Sequence, residues 1–467
     1  MLRVTLVHAS ISSCGFNSFG RADDLTESTW ISHGLSSIAA YAKREGFHID
    51  LIDLRKLKNW GDFTKEITRG NPDVVGLTMM SVDFNPVMKC IEMIKNFNSE
   101  IKIVLGGPHP TLMPREVIPN SNIDYIILGE GEISFANLLR DIQMGKSSER
   151  IIQGIKPDLD KLPFVDREIY GHFEEPCVEG SPPLFFTIIA GRGCIYNCSF
   201  CQPAERTIFG RKVRRRSVRN VIEELMYLRE KYDFQSLMIH DDCLTEDLEW
   251  VTDFCNEYEQ EGFKQPFICQ SRADLICRNE ELIKTMKKAG LSTFIIGFES
   301  GNQRILRFLR KGTTVEQNYE AAKICRKYGI NIWANYMLGI PTETKQEAMD
   351  TVKMIRKIRP DHCSPAFFTP HPGSDLFEYC VKNGLSLITS HAEYRRNPYG
   401  AKIKNVDYKF LNAILQESLD WRWNKKTRFF KQILNNKIIR ATKDLLKKSV
   451  VGRMAIKSIK KVLRYGE

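Results

Sequence analysis

The sequence predicts an α/β protein built of two sheet-forming units in series, and three observations predict it. Short β-branched runs alternate with amphipathic stretches from Met1 to about Met144. The same alternation resumes six times between Leu184 and about Leu376, and a proline-bearing passage, Gly145 to Pro183, separates the two. Strand, helix and strand in turn read as parallel sheets covered by helices.

At 467 residues the chain is long for one domain and comfortable for two plus an appendage. A hydrophobic content of 42% and a charged content of 27% describe an ordinary globular protein. No apolar run approaches the roughly twenty residues of a membrane helix, and polar Thr5 and His8 interrupt the first apolar stretch, so no signal-peptide pattern is seen. The expected compartment is the cytoplasm. Thirteen cysteines, an odd number in a long chain without an export signal, are expected to be reduced thiols. Cys243, Cys255, Cys269, Cys277, Cys325, Cys363 and Cys380 lack paired spacing and read mostly as small buried hydrophobes.

In the first unit, residues 1–144, strands are expected at Arg3–His8, Ile49–Asp53, Val74–Met80, Lys102–Gly106 and Tyr125–Leu128, with helices such as Leu35–Arg44 and Val87–Asn96 between them. Five strands so spaced suggest a flavodoxin-like or Rossmann-like doubly wound domain, whose ligand cleft lies outside the carboxyl ends of its strands. The loops at those ends are a long one from Ala9 to Ile31, then Thr78-Met79-Met80-Ser81, Gly106-Gly107-Pro108-His109-Pro110-Thr111 and Gly129-Glu130-Gly131-Glu132. Glycines there let the backbone approach a large flat ligand or turn sharply. Residues 145–183 form a linker with Pro157, Pro163, Pro176, Pro182 and Pro183, expected to add a small edge hairpin.

The second unit, residues 184–376, reads as six βα repeats with strands at Leu184–Ile189, Ser236–His240, Phe267–Gln270, Thr293–Ile296, Asn331–Met337 and Ala366–Thr369. Helical patterns such as Ser217–Lys231 and Glu343–Lys357 lie between them. Six units do not close the usual eight-stranded barrel, so a partial (β/α)6 barrel is expected, with its site on the carboxyl-end loops. The loop after its first strand carries Cys194, Cys198 and Cys201. Three thiolates on one short loop can hold three irons of a [4Fe–4S] cluster and leave the fourth iron open to substrate. A zinc knuckle would want four ligands in paired spacing, and no fourth is nearby.

The CxxxCxxC spacing, with Phe200 before the last cysteine, resembles the radical S-adenosylmethionine (SAM) superfamily. Taken with it, GGPHPT and LGEGE resemble the N-terminal domain of cobalamin-binding-domain radical SAM enzymes, which include radical methyltransferases and the oxygen-independent tetrapyrrole cyclase. The resemblance implies a [4Fe–4S] cluster on Cys194, Cys198 and Cys201, SAM on the open iron and its cleavage to a 5′-deoxyadenosyl radical. It further implies hydrogen abstraction from an unactivated carbon of a small molecule, and methyl transfer from cobalamin is the first choice of outcome. Cyclisation, rearrangement or elimination on a lipid, tetrapyrrole or sugar is the alternative, and a non-catalytic iron–sulfur or corrinoid carrier is the non-enzymatic one. An electron donor such as flavodoxin or ferredoxin is the implied partner.

Cobalamin contacts so implied are Thr78, Ser81, Gly106, Gly107, His109, Thr111, Gly129 and Glu130. There are departures from the pattern. No DxHxxG occurs in the first unit, so no histidine of that motif would ligate cobalt, and Ile31-Ser32-His33-Gly34-Leu35 stands where relatives often carry Pro-Pro. An empty domain serving as a lid is the alternative. Methylthiotransferases differ in having three cysteines in the first domain, where this chain has Cys14 and Cys90.

SAM contacts are expected at the barrel's strand ends. Phe200 should lie beside the adenine, as in the family. Gly297, Glu299 and Ser300 match the segment that contacts SAM, with Glu299 accepting from the amino group or ribose, or else capping a helix. Gln270, Ser271 and Arg272 would reach the ribose and carboxylate, or form a rim ion pair. Asp241, in His240-Asp241-Asp242, is a polar contact or a helix cap. Gly339 would turn tightly against the adenosine in a GxPxET segment, and His371 in a PxPG segment reads as a packed turn residue more than a proton donor.

Residues 377–467 are expected to be helical and basic. Residues 421–467 carry fifteen Lys and Arg against Asp444 and Glu467, a net charge of +13 in a chain of +11 overall. With apolar residues at helical spacing, this tail suits peripheral contact with an anionic membrane, or packing on the core. No RNA-binding module accompanies the charge, so nucleic acid is not the expected partner.

Overall fold

The structure, a computed structural model, describes residues 2–10, 30–171, 181–182, 184–201, 208–395 and 400–419. Most of the long first loop and the basic tail 421–467 lie outside the described residues, as does Cys14.

The first sheet is wholly parallel, in the order β2-β1-β3-β4-β5-β6, with β1 Arg3–His8, β2 His48–Asp53, β3 Val74–Thr78, β4 Lys102–Gly106, β5 Tyr125–Leu128 and β6 Ile151–Gln153. Its strands are apolar on both faces because helices cover both. Val7, Ile52, Leu77 and Leu105 meet the helices Trp60–Gly70 and Phe84–Phe97 on one side. Val4, Leu6, Ile49 and Ile127 meet His33–Arg44 and Glu132–Gln143 on the other. The sixth strand corrects the expected hairpin: Ile151 to Gln153 pair in parallel with Ile126 to Leu128. A three-residue edge strand is too short to show a periodicity in sequence.

The second sheet is also parallel and runs β14-β13-β12-β11-β10-β7. A two-stranded ribbon, β8 Gly191–Arg192 and β9 Arg214–Arg215, follows β7 Phe185–Ile188. The remaining strands are β10 Ser236–Ile239, β11 Phe267–Ser271, β12 Leu291–Glu299, β13 Asn331–Leu338 and β14 His362–Phe367. Alternate residues separate the two faces: Phe185, Met238, Ile268 and Ile295 fill the concave side, while Phe186, Leu237, Phe267 and Phe294 pack under the helices. The last strand begins four residues earlier than Ala366 and contains Pro365. Proline lacks a ladder donor, and β14 tolerates it because it is the edge strand.

Helix starts follow local chemistry. Asp247 caps Leu248–Gln260 through the Trp250 amide, and Thr344 with Glu347 forms a capping box ahead of Lys345–Ile358. The last described helix, Tyr408–Leu419, packs on Lys345–Ile358, with Leu411, Ile414 and Leu415 buried against Ala348 and Val352. No described helix is long and apolar enough to cross a membrane.

The two units meet through their site-bearing ends. Trp30 lies against Phe185 and His240, His33 Nε2 is 2.8 Å from Thr187 Oγ1 on β7, and Arg192 reaches Glu130 and Glu132.

Candidate active site at the domain interface

The cysteine loop leaves β8 through Gly193, whose φ of +104° is open to glycine; a Cβ there would sit 3.0 Å from the Lys212 carbonyl oxygen. Cys194 and Cys201 are half-buried and Cys198 is buried. The far side of the loop is tied down by backbone bonds, Ser199 N to the Leu309 carbonyl and Leu376 N to the Ser199 carbonyl, each 2.9 Å. Phe200 is packed with Ile305, Ile340 and Phe368. The three sulfurs are thus presented from an anchored loop at the carboxyl end of the barrel, and the donor set fits a cluster with three protein thiolates.

A cationic wall stands behind Cys198. Arg272 Nη1 lies 3.9 Å from its sulfur, the guanidinium sits 3.5 Å from the Tyr196 ring centroid, and Nε donates to Asp274 at 3.0 Å. Burial pulls Arg272 down, but Asp274 and the Cys198 sulfur outweigh it and hold the group above its ordinary value. Lys311, which the sequence reading did not single out, is buried and donates to Glu299 Oε1 at 3.0 Å. Burial lowers this ammonium too, and Glu299 with Cys198 raises it past its ordinary value. Glu299 reaches Lys311 because β12 bulges between Gly297 and Glu299 and turns Glu299 to a φ of +61°. A Cβ at Gly297 would lie 2.3 Å from Glu299 Oε1 and 2.8 Å from Lys311 Nζ, so glycine is what leaves room for the pair. Asn302, not Glu299, caps the helix that follows.

Other strand-end residues are engaged in the frame. Asp241 accepts from the Ala190 amide at 2.7 Å and from Arg215 at 3.0 Å, holding β7 and β9 together. Ser271 bonds Thr245, and Ser300 bonds Thr351 at 3.1 Å inside the barrel wall. Gln270 is half-buried at the end of β11, and His371 is buried in its turn. Cys243 is buried close enough to Cys194 that, after burial, its neighbour contributes to pushing the thiol up to about 12. Nothing in its spacing marked it.

Gly339 makes a tight turn, φ +74°, but a Cβ there would meet Leu411 at 2.8 Å, so its close neighbour is the C-terminal helix. The turn is stitched by Glu343, whose Oε2 accepts from Gly339 N at 2.6 Å. Burial pushes this carboxyl from 4.5 up to about 8 against the pull of the Gly339 and Ile340 amides. Between those values the unfolded chain has released a proton that the folded one keeps, so the contribution of Glu343 to stability is full below 4.5 and is lost as pH rises to about 8. Glu343→Gln should flatten that decline in urea midpoints measured across the window. Parallel curves for the two proteins would remove Glu343 as its source.

A cavity of about 360 Å³ opens between the units. Thr78, Gly106, Gly107, Gly129 and Glu130 of the first sheet's carboxyl edge line it, and Gly191, Arg192, His240 and Asp242 of the barrel face them. Gly107, at φ +103°, carries no side chain where a Cβ would meet Thr78 Oγ1 at 2.7 Å. Three predicted contacts stand back from this cavity. Thr111 Oγ1 accepts from Gly129 N and donates to the Gly107 carbonyl, bracing two loops, while Ser81 and the fully buried His109 pair with each other at 3.1 Å. His33 does line it, with burial and then Arg167 holding its imidazole well below the ordinary value. A glycine-floored, largely apolar slot fits the face of a flat macrocycle.

A doubly wound domain docked on a partial barrel, with a three-thiol loop beside the cavity between them, defines a two-cofactor enzyme. The B12 binding domain family matches residues 25–139 and the radical SAM superfamily matches residues 188–355. The chain thus joins a B12-binding domain to a radical SAM domain, and its cofactors are a [4Fe–4S] cluster, SAM and cobalamin. Such enzymes act on small-molecule substrates and require a reductant. The chain is 28% identical over 402 residues to an uncharacterised methyltransferase of Pyrococcus horikoshii, covering 82% of this chain and 86% of that protein. It is 28% identical over 399 residues to the anaerobic magnesium-protoporphyrin IX monomethyl ester cyclase of Rubrivivax gelatinosus, covering 81% of this chain and 70% of that one. In fold it is similar to the radical SAM methyltransferase TsrM from Kitasatospora setae with cobalamin and a [4Fe–4S] cluster bound, at a TM-score of 0.64 and 16% identity over 90% of this chain and 91% of that chain.

Proposed function

We propose that this enzyme transfers a methyl group to an unactivated carbon of a small molecule, with cobalamin held in the interdomain cavity. The observation that carries the reading is continuity: Gly191 and Arg192 line the cavity, and Cys194 follows them two residues on. When bound, the cluster would supply the electron for SAM cleavage and cobalamin would supply the methyl group. The chain's own residues bind and orient. Cys194, Cys198 and Cys201 would hold the cluster, and Arg272 and Lys311 place positive charge beside Cys198. Glu299 and Gln270 stand at the strand ends where SAM would lie, and the glycine loops of the first domain would receive the corrin. With the cofactors seated, cavity walls from both domains would keep water from the reacting atoms.

Equal identity to the tetrapyrrole cyclase supports radical cyclisation as a second reading. The anaerobically reconstituted protein, given SAM and dithionite, should release adenosine-derived products and take up hydroxocobalamin. With candidate substrates, deuterium from methyl-labelled SAM should appear in the product; product without label favours cyclisation. No cobalamin uptake in equilibrium dialysis would leave the first domain an empty lid. Electron resonance of the cob(II)alamin form should lack nitrogen hyperfine splitting, since the first domain has no DxHxxG histidine and His33 Nε2 is engaged by Thr187. Flavodoxin or ferredoxin as reductant, and anionic membrane as a contact for residues 421–467, belong to the same reading. Replacing dithionite by flavodoxin and adding anionic liposomes tests them.

A further inference from the structure

We propose that His109, Glu116 and His391 form a binding site for a divalent transition-metal ion, zinc being the ion whose chemistry the donors fit, and that it fastens the C-terminal segment to the first domain. The three donor atoms all lie within 4.8 Å of one another. Glu116 Oε2 is 3.5 Å from His109 Nε2 and 2.7 Å from His391 Nε2. Two imidazoles and a carboxylate from separate parts of the chain are a set that zinc takes with water in the fourth position.

A second observation comes from His109 itself. Its side chain is fully buried, its Nδ1 lies 3.1 Å from Ser81 Oγ, and its Nε2 has no hydrogen-bond partner among the described residues. With the proton on Nδ1 and given to Ser81, Nε2 turns a lone pair toward the Glu116 oxygen. In that tautomer a cation bound between them would satisfy both atoms. The Ser81 bond is also the usual support of a metal-bound imidazole, whose second nitrogen donates to a neighbour and fixes the ring.

The rings are held for this geometry. Phe84 stacks on His391 with centroids 4.0 Å apart and meets His109 edge-on at 5.3 Å. Side-chain exposures of 34% for Glu116 and 25% for His391 leave a path for the ion and its water. His391 lies in a short turn, His391–Tyr394, after the barrel, whereas His109 follows directly on Gly106, Gly107 and Pro108, which line the cavity. An ion here would therefore tie the segment after the barrel to the loop beneath the corrin site, apart from the cysteine loop.

The test is elemental analysis of the full-length holoenzyme, reconstituted with iron, incubated with zinc and desalted, so that the cluster already occupies the thiols. About one zinc per chain is expected beside the cluster iron. His109→Ala and His391→Ala should each weaken zinc retention by at least about tenfold while leaving iron content and cluster absorbance unchanged. Cobalt(II) in place of zinc should give a visible d–d spectrum that His391→Ala abolishes. Zinc at background in the parent protein, or zinc retained undiminished in the variants, overturns the site. Should buried His109→Ala fail to fold, the part-exposed His391→Ala decides alone.

Discussion

Alanine at any one of Cys194, Cys198 or Cys201 is expected to leave anaerobically reconstituted protein without its [4Fe–4S] cluster and to reduce SAM cleavage to background. Each thiolate holds one iron, and the fourth iron is kept for SAM, so the loop has no spare protein ligand. The scaffold should survive the change, because Cys194 and Cys201 are half-buried and the loop is anchored by the backbone of Ser199 rather than by the sulfurs. Cys243→Ala is the matched control. That thiol is buried and pushed up to about 12, which keeps it protonated. Iron content, the visible charge-transfer band and 5′-deoxyadenosine are the readouts. Four irons retained in any member of the trio sinks the assignment, and cluster loss in Cys243→Ala would make that residue a ligand.

The second large effect is expected at the interdomain clamp. Glu130 accepts from Arg192 at 2.6 Å and from Arg214, and Arg192 also donates to Glu132 at 2.7 Å. The Glu130 side chain is 2% exposed, against 19% for Arg192 and 26% for Arg214. Burial works against Arg192, yet Glu132 and Glu130 hold it above its ordinary value. Removing one partner of a buried pair costs about 3 kcal/mol, and here Arg214 loses the Glu130 carboxylate while Arg192 keeps Glu132. Glu130→Ala leaves two guanidiniums at the seam. Urea unfolding should show that loss, and hydroxocobalamin should bind more weakly because Arg192 and Glu130 both line the cavity. Glu130→Gln keeps the shape and removes the charge, so it should fall between. An unchanged midpoint with unchanged cobalamin binding in Glu130→Ala would mean that the clamp contributes nothing.

Much of this molecule was legible along the chain because its determinants are local. Alternation of β-branched runs with amphipathic helices marked nearly every strand of both sheets, since burial on two faces leaves a continuous apolar signature. The cysteine trio occupies a single turn of loop, so its chemistry is contained in eight consecutive residues, Cys194 to Cys201. The glycines of the first domain's loops marked the edge where the cavity opens.

What the chain order did not disclose is which distant groups meet. Lys311 faces Glu299 only because β12 bulges after Gly297, a register feature with no composition of its own. Asp241, Ser300 and Thr111 carried polar side chains at the right strand ends, but packing turned them to brace β9, the barrel wall and a neighbouring loop. Glu343 gains its partners, the Gly339 and Ile340 amides, only when the Gly339 turn folds over it. Arg192 with Glu130, 62 positions apart, and His391 with His109 and Glu116, up to 282 positions apart, are brought together by domain docking. Local spacing determined the secondary structure and the iron-binding loop. Long-range register and the apolar burial that drives the two units together decided the charges, braces and cavity around it, because those depend on three-dimensional proximity that no short window of sequence encodes.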